Sequence, residues 1–314
     1  MPVYLTPERL GIIAITIAWI IWGAHPIAAK FGIETIPIYS LIFYRLFFAT
    51  LIILPLTINQ LRTIRFTPSL LKQLLIASLL GIVLNIIFFF IGLEHTQAID
   101  AALIMATIPL ITLLSARVFL KEKITPPEVI GALVGLMGTG LIFFKPFLEE
   151  DQHTAERFLG NIFIALAVVT WVAFTIYTKR IEKEINPSVI TTSVIWIGMV
   201  MLFPLMIWDM YRYPNWIHDI KPISLYSMIY MTLGSTIGAY FLYEWGLKYV
   251  KAGLAGILSN ISVVITLFLG SLVLGEKITT LTLAGAVLLV AGVIAAGLKG
   301  SRHITHQHHH RHKV

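Results

Sequence analysis

The chain has no cysteine, which excludes disulfides, thiolate metal centres and a thiol nucleophile, and leaves its redox compartment unread. It is also poor in charge. Only 12% of its 314 residues are Asp, Glu, Lys or Arg, about half the share of an ordinary soluble domain. No phosphate-binding loop for ATP is present, and the chain is too short to carry an attached nucleotide-binding domain. No apolar run holds the paired carboxylates or paired histidines that intramembrane hydrolysis or metal catalysis requires. Neither an enzyme activity nor a cofactor is therefore expected. What the sequence has in abundance is hydrophobic residues, at 57%, with a mean hydropathy of +0.86. The formal charge of +7 does not point to nucleic acid, because the basic residues sit between apolar runs, as membrane-flanking anchors do.

Crossing a bilayer core takes roughly 20 apolar residues in a helix. Runs of that kind lie near 10–30, 37–58, 69–92, 98–120, 127–146, 158–178, 187–208, 222–247, 252–274 and 280–298. Pro37, Pro127, Pro187 and Pro222 stand at or just before first turns, where a missing N–H costs nothing. The first run, Leu10 to Ala29, is too long for a signal-peptide core and no small-residue cleavage site follows it, so it is expected to be a mature span. With the N-terminus inside, most Lys and Arg gather on inner segments. The outer side then holds Lys30, Lys145, Arg157, Arg212, Lys221 and Lys277. Both termini are expected to be cytoplasmic.

The chain repeats itself. A shift of 154 positions brings Gly92-Leu93 onto Gly246-Leu247, Glu122-Lys123-Ile124-Thr125 onto Glu276-Lys277-Ile278-Thr279, and Gly131 and Gly138 onto Gly285 and Gly292. A weaker match, at a shift of 149, pairs Trp22 with Trp171 and Lys30 with Lys179. An odd number of spans per copy gives the copies opposite directions in the bilayer. The expected fold is all-α and integral to the membrane, with ten transmembrane helices as two inverted five-helix repeats, 10–146 and 158–299, and a His-rich cytoplasmic tail at 300–314. Inverted repeats recur in secondary transporters, with substrate bound near the midplane.

These residues resemble the drug/metabolite transporter superfamily, specifically its EamA-like ten-helix members. Ile20-Ile21-Trp22-Gly23 running to Ala28-Ala29-Lys30 is similar to the family's opening signature, and Tyr44-Arg45-Leu46 to its arginine-bearing second helix. Gly92-Leu93, then Ala98, Ala101 and Ala102, then Glu122-Lys123, resemble its repeat ending. The second copy has no arginine matching Arg45. The resemblance implies export of amino acids or related metabolites and xenobiotics.

Candidate site residues follow from polarity in apolar surroundings. At about 1.5 Å per residue, His25, Arg45 and Asn85 lie at one level of three neighbouring spans, where polar groups must face one another or water. Arg45 suits a substrate carboxylate or an interhelical hydrogen bond as donor, or else snorkels to the headgroups; His25, before Pro26, suits a structural role as well as proton carriage. In the second half the polar residues are Tyr177, Tyr243, Glu244, Ser259 and Asn260, nearer the cytoplasm. Glu244 is either a coupling acid or a carboxylate reaching interfacial water one turn from Lys248. Asp100 starts the fourth span and suits capping or helix-dipole support. Trp22, Trp171, Trp196 and Tyr240 are candidate aromatic walls for an amphipathic solute, or bulky packing. Small and polar residues form a stripe in the fourth span, Ala98, Ala102, Met105, Pro109, Thr112 and Ala116. The ninth span repeats it as Ala252, Gly256, Ser259, Val263, Thr266 and Gly270. The stripe fits cavity lining and close helix packing equally. The glycines at 131, 135, 138, 285 and 292 fit packing alone. In the tail, His303, His306, His308, His309, His310 and His312 could ligate a transition metal, but no fixed geometry is readable and no metal site is assigned; a disordered segment drawn to anionic lipid also fits.

The function expected is secondary transport, in the export direction, of small neutral or zwitterionic metabolites such as apolar and aromatic amino acids. Alternating access would operate at a central cavity between the repeats. The expected partners are the substrate and the lipid bilayer of the plasma (bacterial inner) membrane, with proton coupling left open. Two alternatives stand beside it: a carrier of a nucleotide-like or sugar-linked anion using Arg45 and Lys30, and a non-transporting receptor or lipid-handling protein.

Overall fold

The computed structural model describes residues 6–62, 64–121, 124–150, 152–181, 185, 187–250, 254–255 and 258–308; side chains at 60, 180, 187, 188, 244 and 297–308 are not among those described. Glu122-Lys123, Ala252, Gly256, the Glu244 side chain and the imidazoles of the tail fall outside that set.

The described residues are helical nearly throughout, at the positions the apolar runs predict. The helices are α1 (Pro7–Ile33), α2 (Ile38–Arg62), α3 (Pro68–Ser78 and Asn85–His95), α4 (Ala98–Met105 and Ile108–Phe119), α5 (Pro126–Leu148) and α6 (Thr154–Ile181). They continue as α7 (Pro187–Arg212), α8 (Pro222–Ile229 and Ala239–Leu247), α9 (Asn260–Leu274) and α10 (Thr280–His308). Seven of them are long and apolar enough to cross a membrane. Across the helices, outward faces carry Leu56, Val118, Phe241 and Leu272, each about 70% exposed or more. In water such faces would aggregate; against lipid they cost nothing.

Local chemistry sets the starts. The Thr67 hydroxyl accepts from the Leu70 N–H at 3.2 Å, with Pro68 in the first turn of α3. Thr125 and Glu128 form a reciprocal capping box ahead of α5, with Pro126 at its start. Helix α9 ends on Gly275 at φ 68°, the left-handed residue that closes a helix cheaply only as glycine.

Three spans depart from simple continuity. Helix α4, expected as one run, breaks at Ala106–Thr107, because Pro109 has no N–H to give and its ring opposes the carbonyl four residues back. Helix α3 has a π-helical insert at Leu79–Leu84, and α8 has one at Tyr230–Gly238. The 154-residue shift carries 79–84 onto 233–238, so the widened turns recur at equivalent places in the two copies. Helix α10 runs on to His308, past the expected end of the span near 298, since no proline or other stop follows Gly300.

The chain forms two compact units that do not follow the sequence halves; each draws on both. One comprises residues 1–26, 97–158 and 238–314, the other 27–96 and 159–237. In the first, α5 and α10 pack backbone to backbone. A Cβ at Gly292 would lie 2.4 Å from the Gly135 nitrogen, and one at Gly138 would lie 2.5 Å from the Gly285 carbonyl oxygen. Without a hydrophobic driving force between helices in lipid, such close approach maximises dispersion contact. The second unit is held by α3 against α6 and α7. Leu74, Ala77, Ile181, Ile190, Val194 and Ile197 form its buried cluster, and Gly160 lies so close to α3 that a Cβ there would meet the Gly92 carbonyl at 2.8 Å.

Candidate functional site

In the unit of residues 27–96 and 159–237, Arg45 on α2 donates from Nε to the Thr236 hydroxyl at 2.8 Å. Thr236 in turn donates to the Met231 carbonyl five residues back, at 2.8 Å, inside the π-helical insert. The widened turn therefore presents a hydroxyl where a regular helix would bury its carbonyl in the i–4 ladder. Asn85, which follows the equivalent insert in α3, is buried and donates its amide to the Ala167 carbonyl of α6 at 2.7 Å. His25 is half-buried and belongs to the other unit. Of the three residues expected at one level, Arg45 and Asn85 thus tie α2 and α3 to different partners.

Trp171 is half-buried with its ring 5.4 Å from Phe174, whose own ring fills the space opposite Gly81. Tyr177 packs on the aliphatic cluster of α3, α6 and α7. Trp196, offered as a cavity wall, is 48% exposed on the outer face of α7 instead. Lys30 donates to the Thr96 carbonyl at 2.6 Å, and the Thr96 hydroxyl reaches Asn161 at 2.6 Å.

In the unit of residues 1–26, 97–158 and 238–314, Trp22 joins an aromatic group. Its ring lies 4.9 Å from Trp19 and 5.4 Å from Tyr243, and Trp19 lies 5.6 Å from Tyr243. The tilted and edge-on arrangement matches the quadrupole preference of aromatic pairs. Below the trio, Ile15, Val250 and Ala255 are buried. Met105, Ser259 and Asn260 are half-buried and Tyr240 is 38% exposed. The small-residue stripe of α9 serves packing in its second half. Thr266 donates to the Gly23 carbonyl of α1 at 2.6 Å, and a Cβ on Gly270 would meet Ile99 at 2.8 Å. On α4, Pro109 of the corresponding stripe is exposed.

A charged group that sequence reasoning missed lies in the same unit. Asp100 is fully buried and accepts from Lys145 Nζ at 2.9 Å and Arg157 Nη2 at 2.7 Å. The first turn of α4 is capped by Glu276 instead, whose two oxygens accept from the Ala98 and Ile99 N–H groups at 2.6 and 2.9 Å. The capping role expected of Asp100 thus passes to a residue of the repeated Glu-Lys-Ile-Thr motif. Lys145 and Arg157 had counted only as headgroup anchors. The signal that could have found them is Asp100 itself, since an acid in an apolar run needs a cation. Asp209 was missed as well: buried near the end of α7, it accepts from the Ser40 N–H of α2 at 2.7 Å.

The sequence pattern of the EamA-like transporter family matches residues 9–144 and again residues 158–298. Similar curated proteins are three uncharacterized transporters of Bacillus subtilis. YyaM is 28% identical over 66% of this chain and 67% of its own length. YetK is 23% identical over 94% of this chain and 89% of its own, and YoaV is 26% identical over 90% and 94%. A crystal structure 17% identical in sequence superposes with a TM-score of 0.64 over 93% of this chain and 98% of its own, a likeness of fold. With family matches over both halves and span-length apolar helices, the chain belongs to the EamA-like transporter family and is an integral membrane transporter.

Proposed function

We propose that the protein exports small neutral or zwitterionic metabolites, apolar and aromatic amino acids among them, across the plasma (bacterial inner) membrane by alternating access. The observation that carries the substrate class is the Trp19–Trp22–Tyr243 group within α1 and α8, three rings in contact in the interior of spans. Such rings offer an apolar or aromatic body contact area at low entropic cost. Arg45, braced on the π-helical insert by Thr236, is the span-embedded cation to which a substrate carboxylate would be drawn. Lys30, the second cation of the anion-carrier reading, holds the Thr96 carbonyl and favours the zwitterion reading.

Counterflow in proteoliposomes tests it. Radiolabelled tryptophan or phenylalanine should exchange against unlabelled substrate, and Trp22→Ala should lower that exchange about tenfold, the scale of losing one aromatic contact. No exchange across a broad amino-acid and metabolite panel would sink the reading.

A further inference from the structure

The two π-helical inserts occupy equivalent places in the copies, yet what meets them differs. In α8 the Thr236 hydroxyl gives its single hydrogen to the Met231 carbonyl at 2.8 Å. It can therefore only accept from Arg45 Nε, at 2.8 Å, so the direction of that bond is settled. Ser235 donates to the same Met231 carbonyl at 3.0 Å, and two hydroxyls of the insert converge on one acceptor.

Under the 154-residue shift Thr236 falls on Ile82, within the insert of α3. Ile82 faces α7, which is the second helix of its copy as α2 is of the other. A Cβ at Gly198 of α7 would lie 2.5 Å from Ile82 Cγ2. A shift of 153 carries Arg45 onto Gly198. The same helix pairing is thus an arginine on a hydroxyl in one place and a glycine under an aliphatic side chain in the other. Joining a second helix to an insert does not require a cation, and a cation inside a span is costly to keep. Nε lies between the stem and the fork of the guanidinium, so a bond to it sets the plane of the whole group. A planar fork meets a carboxylate with paired bonds only when that plane is right.

We infer that Thr236 is the positioning residue for carboxylate recognition. It holds the Arg45 guanidinium in the plane in which a substrate carboxylate is received, and it makes that recognition a property of the α2–α8 joint alone. The inference rests on the amino-acid reading above and adds one orientation to it, with the substrate carboxylate at α2 and α8.

Counterflow of radiolabelled tryptophan with the full-length protein in proteoliposomes tests it. Thr236→Val, close in shape but without the hydroxyl, should raise KM about tenfold, the scale of one hydrogen bond to a charged group, with the maximal rate little changed. Thr236→Ser should recover the parent KM. Arg45→Lys keeps the cation but has no Nε, so its KM should rise similarly with Thr236 in place. That variant decides the matter even if Thr236→Val does not fold. In an Arg45→Gln background Thr236→Val should cost nothing further, because it acts through Arg45. A parent that exchanges no amino acid overturns the transport reading and this inference with it. A parent that exchanges tryptophan while Thr236→Val or Arg45→Lys keeps its KM overturns the inference alone. So does failure of Thr236→Ser to rescue, or a further loss in the Arg45→Gln background.

Discussion

Arg45 and Asp100 were both visible in the sequence as charges inside apolar runs, and the structure separates their roles. Asp100 has two cations within 3 Å and no exposure. Removing it leaves Lys145 and Arg157 facing each other in a low dielectric. Asp100→Asn should therefore cost about 3–5 kcal/mol, the range for breaking one side of a buried pair. The double variant Asp100→Asn with Lys145→Met should lose less than the sum of the single losses. Chemical unfolding in detergent reads both, and additive losses would mean that the contact carries no coupling. Arg45 donates to a neutral hydroxyl, that of Thr236. Arg45→Gln keeps a donor for Thr236, so expression should hold while exchange of carboxylate-bearing substrates falls at least tenfold, as for loss of a charge-assisted bond. Collapse of expression would make Arg45 a structural lock instead. The acid was legible and its partners were not, because Lys145 and Arg157 lie 45 and 57 residues away and only the folded chain brings them to it.

At the scale of the element, the glycines were legible as packing residues, but which of them tolerate a side chain was not. That depends on what stands opposite, and hydropathy carries no such information. On α5, Gly140 faces open space, whereas Gly135 lies against Gly292 of α10. Gly292→Ala should push the two helices apart and cost about 1–3 kcal/mol, as overpacking does. Gly140→Ala should be neutral or slightly stabilising, because alanine restricts the unfolded chain. Thermal melts of the two variants compare them directly, and equal shifts would remove the backbone-contact account. The π-helical inserts of α3 and α8 were illegible for a related reason. Nothing in the apolar run at 79–84 marks an extra residue in the turn, although Gly81 sits where Phe174 of α6 presses closest.

For the whole molecule, the repeat predicts more than a count of spans. Its two Glu-Lys-Ile-Thr segments must lie on opposite faces of the membrane if each copy contributes five crossings. The compact units cannot decide this, since each mixes segments of both halves. Accessibility can, and the absence of cysteine gives a silent background for it. Ile124 and Ile278 are equivalent under the 154-residue shift, and both stand in non-helical segments just ahead of α5 and α10. With cytoplasmic termini, a membrane-impermeant maleimide applied to intact cells should label Ile278→Cys and leave Ile124→Cys unlabelled until the membrane is opened. Gln152→Cys, between α5 and α6, should follow Ile278→Cys, and Arg65→Cys, between α2 and α3, should follow Ile124→Cys. Labelling of Ile124→Cys and Ile278→Cys from the same side would require an even number of crossings between them. That would mean one of α5 to α9, such as the interrupted α8, fails to span, and the inverted duplication would fail with it. Labelling on opposite sides but in the reverse order would keep the duplication and turn the whole chain over, placing the buried Asp100–Lys145–Arg157 group toward the cytoplasmic leaflet.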